Sequence, residues 1–263
     1  MIPPPLVLVF AASDPTCGAG AQADALTLSA LGCHPLTVLT GLTAQDTHGV
    51  SDFEPVPAHW VGRQAEVLLD DLAVAAVKIG VVGSAENAAA IAEALQRLPA
   101  VPLVLDPVLA SGRGDRLADE RAREAIRTLL VPRATVVTPN ALEARALAGA
   151  SAGARLEDCA QVLLEAGAGA VFVTGAHEPG ADVVDVLYGA AGVLHAERHR
   201  RLPGEYHGSG CTLAAAITAR LARGAPLVEA IAAASRFTQR ALERAFAAGA
   251  GQRLPWRSAE APA

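Results

Sequence analysis

The chain has 263 residues, of which 52% are hydrophobic and 18% charged, and its formal net charge is −6. This composition excludes a disordered chain, and the length fits one large domain or two small ones. Lys78 is the single lysine among the 21 basic residues, and Ile79 follows it. The pattern GxxxxGK[ST] is therefore missing, which excludes the chemistry of P-loop proteins.

The composition also limits the partners. The acidic charge, the 3% aromatic content and the lack of a basic stripe argue against nucleic acid. The four cysteines form no CxxC pair, so we expect neither a zinc site nor a redox motif, and a cytoplasmic location. The apolar stretch 6–12 has no basic segment before it and predicts a buried strand rather than a signal peptide. No charge-free apolar stretch reaches the ~18 residues that a membrane-spanning helix needs.

Short apolar runs alternate with helical patterns along the chain. The runs predict strands at residues 6–10, 36–40, 75–79, 103–105, 135–138 and 170–174. Between them, apolar residues at helical spacing predict helices at residues 20–31, 59–72, 85–98, 119–130, 140–148 and 156–166. This alternation predicts an α/β fold, a three-layer αβα sandwich whose central sheet is mostly parallel.

The last third of the chain departs from that alternation. Two apolar segments, 183–188 and 193–196, flank a turn rich in glycine and predict a small hairpin at the sheet edge. The chain then reads as helical from 211 to 248, with one break at 224–226. Because no linker interrupts the pattern, we expect a single domain over 1–250, followed by a loosely ordered tail over 251–263.

Ligands of open parallel sheets bind beyond the carboxyl ends of the strands, so polar residues there are candidates for a site. After the first strand, glycines allow a tight turn, and Asp24 falls in the first turns of the next helix. Its carboxylate suits an amino-bearing ring, although a capping or solvated Asp is the alternative. Gln45, past the second strand, offers a donor and an acceptor to a heteroaromatic edge.

Oxygen ligands follow two further strands. Asp106 comes directly after the strand 103–105, and Asn140 and Glu143 are spaced to share one face of a helix N-terminus. Carboxylate and amide oxygens suit Mg²⁺ held partly through water. The same Asn–Glu spacing is also that of a capping box, and the two interpretations are compatible.

The most specific segment is YHGSGCTL at residues 206–213. Gly208, Ser209 and Gly210 form a turn that opens a helix, where backbone N–H groups and the helix dipole suit a phosphoryl group. The same position predicts a lowered pKa for the Cys211 thiol, which would make it a base or a thiolate. The alternative is that Cys211 only packs the start of the helix.

In chain order, the motifs SDPxxGAGxQAD, TAQDTxGV, KIG, LDPV, TPNxxE and HGSGCTL resemble those of the hydroxymethylpyrimidine/phosphomethylpyrimidine kinases. These kinases belong to the ribokinase-like superfamily, and the resemblance spans about residues 6–248. It implies an αβα sandwich and ATP-dependent phosphorylation of 4-amino-5-hydroxymethyl-2-methylpyrimidine and of its monophosphate, in thiamine biosynthesis. It also implies a bound Mg²⁺, and we expect a homodimer.

The resemblance assigns roles to residues at matching positions. Those of the substrate pocket are Asp24, Gln45, Gly20 and Gly80, and those of the anion hole are Gly208, Ser209 and Gly210. Cys211 matches the base that acts on the substrate hydroxyl. Positions near the ATP phosphates are Asp106, Asn140, Thr174 and Thr212, and Mg²⁺ would be held by Asp106 and Glu143.

Two departures from the family pattern leave alternatives open. Thr174 stands where many relatives have Lys in the motif VxxKGGH, and its hydroxyl supplies no charge to a phosphate. Cys17 stands where the family often has Gly. A pyridoxal/pyridoxine kinase is one alternative, because that ring also carries a hydroxymethyl group. A non-catalytic sensor of a pyrimidine or nucleotide is another, motivated by the missing lysine.

Overall fold

In the computed structural model, which describes residues 3–258, one nine-stranded sheet forms the centre of the molecule. The strands are β1 (Leu6–Ser13), β2 (His34–Gln45), β3 (Val50–Pro55), β4 (Val74–Ile79), β5 (Leu103–Leu105), β6 (Val136–Val137), β7 (Val171–Val173), β8 (Asp182–Gly189) and β9 (Gly192–Arg200). Their spatial order is β3-β2-β1-β4-β5-β6-β7-β8-β9. Pairing is parallel from β2 through β7 and antiparallel at both edges.

Eight α-helices among the described residues cover the two faces of the sheet. They are α1 (Gly20–Ala30), α2 (Ala58–Asp71), α3 (Ala85–Leu95), α4 (Glu120–Ala125), α5 (Ala141–Leu147), α6 (Leu156–Glu165), α7 (Ser209–Ala222) and α8 (Leu227–Glu243). Alternate residues of β1 point to opposite faces. Leu8 and Phe10 pack in a core with residues of α2, α3, α5 and α6, whereas Val7 and Val9 pack with α1 and α7. The predicted three-layer αβα sandwich is confirmed.

No helix within residues 3–258 has both the length and the apolar character needed to cross a membrane. The longest, α8, has 17 residues, and it carries Glu229 in its first turn and Arg240 in its last. Its buried face consists mostly of small residues that pack toward α7, as expected for a helix that covers a sheet.

The second edge of the sheet differs from the prediction. β2 continues to Gln45 and pairs with the antiparallel strand β3, whereas the sequence analysis placed residues 45–49 in a loop and named one edge hairpin. β3 escaped prediction because none of its six residues is buried, Ser51, Asp52 and Glu54 are exposed, and the strand contains no apolar run. The extension of β2 carries Gln45 into the region of the site.

The C-terminal segment also differs from the prediction. Residues 251–258 were expected to be loosely ordered, but Gln252, Leu254 and Arg257 are buried. Gln252 N–H donates to the Thr47 carbonyl at 2.7 Å, and Leu254 forms a β-bridge with Phe246. The segment is not helical, and backbone hydrogen bonds to other segments satisfy its polar groups instead. The rest of the predicted tail, 259–263, lies outside the described residues.

Candidate active site

A cavity of about 870 Å³ lies at the carboxyl edge of the parallel strands. It is lined by the loop after β1, the end of β2, the segments after β5, β6 and β7, and the N-terminus of α7. The sheet therefore brings together residues that are far apart in the chain, as parallel sheets do at this edge. The residues predicted from the sequence that line the cavity are Gly20, Gln45, Asp106, Asn140, Glu143, Thr174, Gly208, Ser209, Gly210 and Cys211.

The buried carboxylate of Asp14 holds the loop after β1. It accepts hydrogen bonds from the backbone N–H groups of Thr16 (2.8 Å) and Ala19 (2.6 Å), and His207 Nε2 lies 2.8 Å from Asp14 Oδ2. Burial alone would raise the pKa of Asp14, but the hydrogen bonds from His207, Ala19 and Thr16 hold this pKa below its usual value. We call residues 14–20 and 207–211 together the first-loop side of the cavity.

The turn before α7 approaches that loop very closely. Gly208, the N-cap of α7, has φ +73° in the left-handed region, and a Cβ there would lie 1.9 Å from the Gly18 carbonyl oxygen. Glycine is therefore required at 208. The first backbone N–H groups of this 14-residue helix have no intrahelical partner and lie at the cavity, where they suit an anion.

Cys211 lies in the first turn of α7, half-buried at the cavity wall. Its thiol hydrogen-bonds the Asp106 carboxylate, and the Gly20 N–H points at its sulfur. The sequence analysis predicted a lowered thiol pKa, and the structure contradicts this. Burial raises the pKa of Cys211 to about 12, and Asp106 and Asp24 add to the rise, which together outweigh the opposing effect of Lys78.

Two buried carboxylates face the cavity beside Cys211. Burial raises the pKa of Asp106 to about 6 and that of Glu143 to about 8, and the Asp106 charge adds to the second shift. Asp106 Oδ2 has no hydrogen-bond partner within residues 3–258. Its charged neighbour is Lys78, whose Nζ lies 3.8 Å away. A buried carboxylate oxygen that accepts no hydrogen bond and lies near a second carboxylate fits a divalent cation. Glu143 also completes a capping box with Asn140, so both interpretations of this pair are compatible with the geometry.

Lys78 and Asp24 form an ion pair inside the protein. Both side chains are fully buried, and Lys78 Nζ lies 2.8 Å from Asp24 Oδ2 and 3.8 Å from Asp106 Oδ2. Burial favours a neutral amine, but Asp24, Cys211 and Asp106 raise the pKa of Lys78 above its ordinary value. Asp24 therefore lies behind the cavity wall with its carboxylate turned to Lys78, and this placement does not support the predicted contact with a substrate ring.

Two other predicted residues also lie away from the cavity surface. Gly80 lies where a Cβ would come within 2.9 Å of Lys78 Nζ, so it makes room for the buried amine. Thr212 is fully buried, and its hydroxyl donates to the Gly208 carbonyl at 2.8 Å. Gln45, by contrast, lines the cavity, and its amide nitrogen donates to Thr43 Oγ1, so the amide oxygen is the remaining polar atom of this side chain.

We call Asn140, Thr174 and residues 199–201 the hairpin side of the cavity. Thr174 follows β7, forms a β-bridge with Asn140, and supplies a hydroxyl but no charge. Arg201 is committed to the protein, because its guanidinium donates to the carbonyls of Ala176, Glu178 and Gly180. Arg200 ends β9, lines the cavity and is exposed, and its guanidinium forms no hydrogen bond or ion pair within residues 3–258.

Sequence reasoning missed three residues of this site. Asp14 and His207 lie within segments that it singled out, but their contact joins residues 193 positions apart, which no local pattern reveals. Arg257 lies in the segment expected to be loosely ordered. One signal was available for Asp14, since Asp two positions before Thr16 is a frequent turn residue.

This fold, with a glycine turn at a helix N-terminus beside buried carboxylates at the carboxyl edge of a parallel sheet, is typical of kinases of small molecules. The family model described as phosphomethylpyrimidine kinase matches residues 14–256. The chain belongs to the phosphomethylpyrimidine kinase family.

Individual relatives agree with this assignment. The chain is 41% identical over 250 residues to a hydroxymethylpyrimidine/phosphomethylpyrimidine kinase of Rhizobium meliloti (strain 1021), and the alignment covers 94% of this chain and 94% of the relative. It is 40% identical over 253 residues to one of Streptomyces coelicolor, covering 95% of this chain and 93% of the relative. These two alignments span nearly the whole length of all three proteins.

Solved structures include two kinds of kinase with this ribokinase-like fold. A phosphomethylpyrimidine kinase from Clostridium difficile 630 superposes with a TM-score of 0.78 at 33% identity, covering 90% of this chain and 99% of that one. A Staphylococcus aureus pyridoxal kinase in complex with pyridoxal gives a TM-score of 0.87 at 30% identity, covering 95% and 92%. Fold similarity therefore does not separate the two substrates.

Proposed function

We propose that this chain transfers the γ-phosphoryl group of ATP to the hydroxymethyl group of 4-amino-5-hydroxymethyl-2-methylpyrimidine, and then to the resulting monophosphate, in thiamine biosynthesis. The observation that carries the proposal is the position of Cys211, at the helix N-terminus that opens onto the cavity, in contact with Asp106 and facing the Gly20 N–H. An acceptor hydroxyl placed there lies between a proton acceptor and a cluster of backbone donors.

The first transfer needs a route for one proton. The substrate oxygen forms a bond to the γ-phosphorus, the bond from phosphorus to the bridging oxygen breaks, and ADP leaves. The hydroxyl proton passes to Cys211 Sγ while the thiol proton, which is already donated to Asp106, passes to that carboxylate. The proton therefore ends on Asp106, and the thiol stays protonated. Because the transition state is loose, the bond from the substrate oxygen to phosphorus is only partly formed, and the hydroxyl loses its proton late in the reaction. A weakly basic acceptor is then sufficient for the proton transfer. Backbone N–H groups of residues 208–211 stabilise the transferring group.

Asp106 and Glu143 are the residues that would hold Mg²⁺. The cation, when bound, neutralises charge on the triphosphate. Groups of three metal-ligating side chains do not occur in the described part of the chain, which suits an ion completed by water and phosphate oxygens. Asn140 and Thr174 add uncharged hydrogen-bonding groups for the nucleotide on the hairpin side.

The test is ADP release from ATP and Mg²⁺ with the pyrimidine, its monophosphate and pyridoxal compared at equal concentrations. We expect turnover of both pyrimidines, loss of turnover when the cation is chelated, and recovery when Mg²⁺ is restored. Preference for pyridoxal would contradict the proposal, and no turnover with any acceptor would leave a non-catalytic sensor. Size-exclusion chromatography with light scattering tests the homodimer, which stays a prediction.

Pyridoxal is the second candidate acceptor. The observation that favours it is the likeness to the Staphylococcus aureus pyridoxal kinase, whose structure contains pyridoxal. Both rings carry a hydroxymethyl group, which lies next to an exocyclic amine in the pyrimidine and next to an aldehyde in pyridoxal. Gln45 lines the cavity with its amide nitrogen bound to Thr43, and its amide oxygen suits an exocyclic amine, which the pyrimidine has and pyridoxal lacks.

A further inference from the structure

The C-terminal segment carries a buried guanidinium into the wall of the site. Arg257 is 5% exposed. Its Nε donates to Thr212 Oγ1 at 3.0 Å, and its two terminal nitrogens donate to the carbonyls of Cys17 (3.2 Å) and Gly18 (2.5 Å). One side chain thus binds both the first loop and the first turn of α7.

These contacts fall where the two segments are most tightly packed. The Gly18 carbonyl that Arg257 holds is the same one that a Cβ at residue 208 would touch. Thr212, the third contact, donates its hydroxyl to the Gly208 carbonyl. Arg257, Gly18, Gly208 and Thr212 therefore form one connected set directly behind the turn that faces the phosphoryl group.

The guanidinium has no counter-ion in direct contact. Its recorded acceptors are two carbonyls and a hydroxyl, and no ion pair to Arg257 occurs within residues 3–258. A buried cation without a carboxylate partner is costly, and a general packing role would be met more cheaply by an apolar side chain. Five N–H donors in a rigid fork, however, match the three acceptors of this corner.

The rest of the segment fixes where the guanidinium lies. Arg253 exchanges backbone hydrogen bonds with Glu205 and His207, and Trp256 N–H donates to the Ala241 carbonyl at 2.9 Å. Arg253 itself is exposed, and these contacts use its backbone. The segment is therefore anchored on both sides of α7 independently of the Arg257 side chain.

We infer that Arg257 is a positioning residue for phosphoryl transfer, which holds the Gly18 carbonyl and the first turn of α7 so that the backbone donors of residues 208–211 keep their geometry. The inference rests on the proposed function for its kinetic consequence. The structural consequence, a first loop fixed by Arg257, can be measured without turnover. A displacement of about 1 Å at such a site can cost about 100-fold in rate.

The experiment compares Arg257→Met, Arg257→Lys and the control Arg253→Met in the full chain. Methionine keeps most of the side-chain volume without donors, lysine keeps the charge and part of the donation, and residue 253 contributes through its backbone. We expect Arg257→Met to lower kcat at least about 30-fold while KM for ATP changes less than about threefold. Arg257→Lys should recover at least a third of that loss on a logarithmic scale, and Arg253→Met should stay within about twofold of the parent.

Hydrogen–deuterium exchange of residues 12–24 and 206–214 gives the second readout. We expect faster exchange there in Arg257→Met than in Arg253→Met, with unchanged exchange in the core strand β4. If Arg257→Met is folded and keeps kcat within twofold, or if Arg253→Met loses as much, the inference is wrong. If Arg257→Met does not fold at the assay temperature, Arg257→Lys replaces it. A lower kcat together with faster exchange of residues 12–24 then supports the inference, and parent-like kcat together with parent-like exchange overturns it. If the parent protein shows no turnover but Arg257→Met still exchanges faster in these segments, the proposed function is wrong and the structural role of Arg257 in holding the first loop is supported.

Discussion

The first-loop side and the hairpin side of the cavity differ in how their polar groups are satisfied. On the first-loop side, Asp14 accepts from the Ala19 N–H and contacts His207 Nε2, and Arg257 of the C-terminal segment donates to the Gly18 carbonyl. The glycine turn at 208 leaves no space for a side chain. On the hairpin side, Thr174 presents an uncharged hydroxyl, and the guanidinium of the exposed Arg200 forms no hydrogen bond or ion pair within residues 3–258.

The difference separates two requirements of phosphoryl transfer. Stabilising the transferring group needs donors that are already in place, because any reorganisation during the reaction adds to the barrier. Binding the rest of the nucleotide needs favourable contacts but tolerates mobility in the free protein. Substitutions on the first-loop side should therefore act mainly on kcat, and those on the hairpin side mainly on KM for ATP.

The largest expected effect is that of Gly208→Ala. The left-handed backbone costs a Cβ about 1–2 kcal/mol, and the clash with the Gly18 carbonyl must also displace one of the two segments. We expect kcat to fall by more than about 1,000-fold. The control is Gly224→Ala, which shares the positive φ but meets nothing within 4 Å. Equal losses of activity in the two variants would refute a role for the close approach.

The next effect is that of Cys211→Ala, and it should differ between the two phosphorylation steps. The hydroxymethyl acceptor must lose a proton, whereas the phosphate of the monophosphate is already ionised at pH 7. We expect kcat for the first step to fall about 100-fold and that for the second step far less. Initial rates with each acceptor measure this, with Cys159→Ala, in the buried face of α6, as the control. An equal loss in both steps would argue against proton transfer through Cys211 to Asp106.

Asp14→Asn is expected to act on stability with a defined pH dependence. The folded-state pKa of Asp14 is depressed, so its ionised form stabilises the fold above the ordinary value of 3.8, and this contribution is lost as the pH falls below it. We expect the variant to be about 1–3 kcal/mol less stable at pH 7, and the difference to shrink below about pH 4. Urea unfolding at several pH values measures it, with the exposed Asp70→Asn as control. A difference independent of pH would exclude the ionised carboxylate as its cause.

Much of this site follows from local sequence. The sequence predicted that Asp106, Asn140 and Thr174 lie at one edge of the sheet, because each follows a strand and the carboxyl ends of parallel strands meet at the same edge. The turn before α7 was identified from its glycines, whose backbone freedom is a property of the residues themselves. Such features are predictable because the physical cause lies within a few positions of the effect.

The features that escaped prediction depend on the environment created by folding. The thiol of Cys211 was expected to be acidic from its helix position, but burial and two carboxylates from β5 and α1 reverse the direction. Asp24 is also buried, and its carboxylate pairs with Lys78. Residues 251–258 are ordered by backbone hydrogen bonds to distant segments of the chain. The pKa of a buried group and the contacts of a terminal segment depend on residues that are distant in sequence and meet only in the folded protein. A short stretch of sequence therefore does not reveal them.

The smallest expected effects lie on the hairpin side, where the charge is missing. Thr174→Lys places an ammonium at the cavity beside Asn140, and we expect KM for ATP to fall about 3–10-fold with kcat within twofold, since one charge-assisted contact is worth about 1.4 kcal/mol. Thr174→Met, of similar bulk without charge, is the control. The gain should weaken at high salt because the site is open to solvent.

Arg200→Ala tests the same side from the opposite direction. Arg200 lines the cavity with its guanidinium uncommitted, so its loss should raise KM for ATP about 3–10-fold and leave kcat within twofold. Arg198, two residues earlier on β9, is exposed and pairs with Asp182 at 3.2 Å, which makes Arg198→Ala the matched control. If Arg200→Ala instead lowered kcat as strongly as a first-loop variant, the hairpin side would also stabilise the transition state. The proposed division of roles between the two sides would then be wrong. A selective rise in KM would assign to Arg200 part of the positive charge that Thr174 lacks.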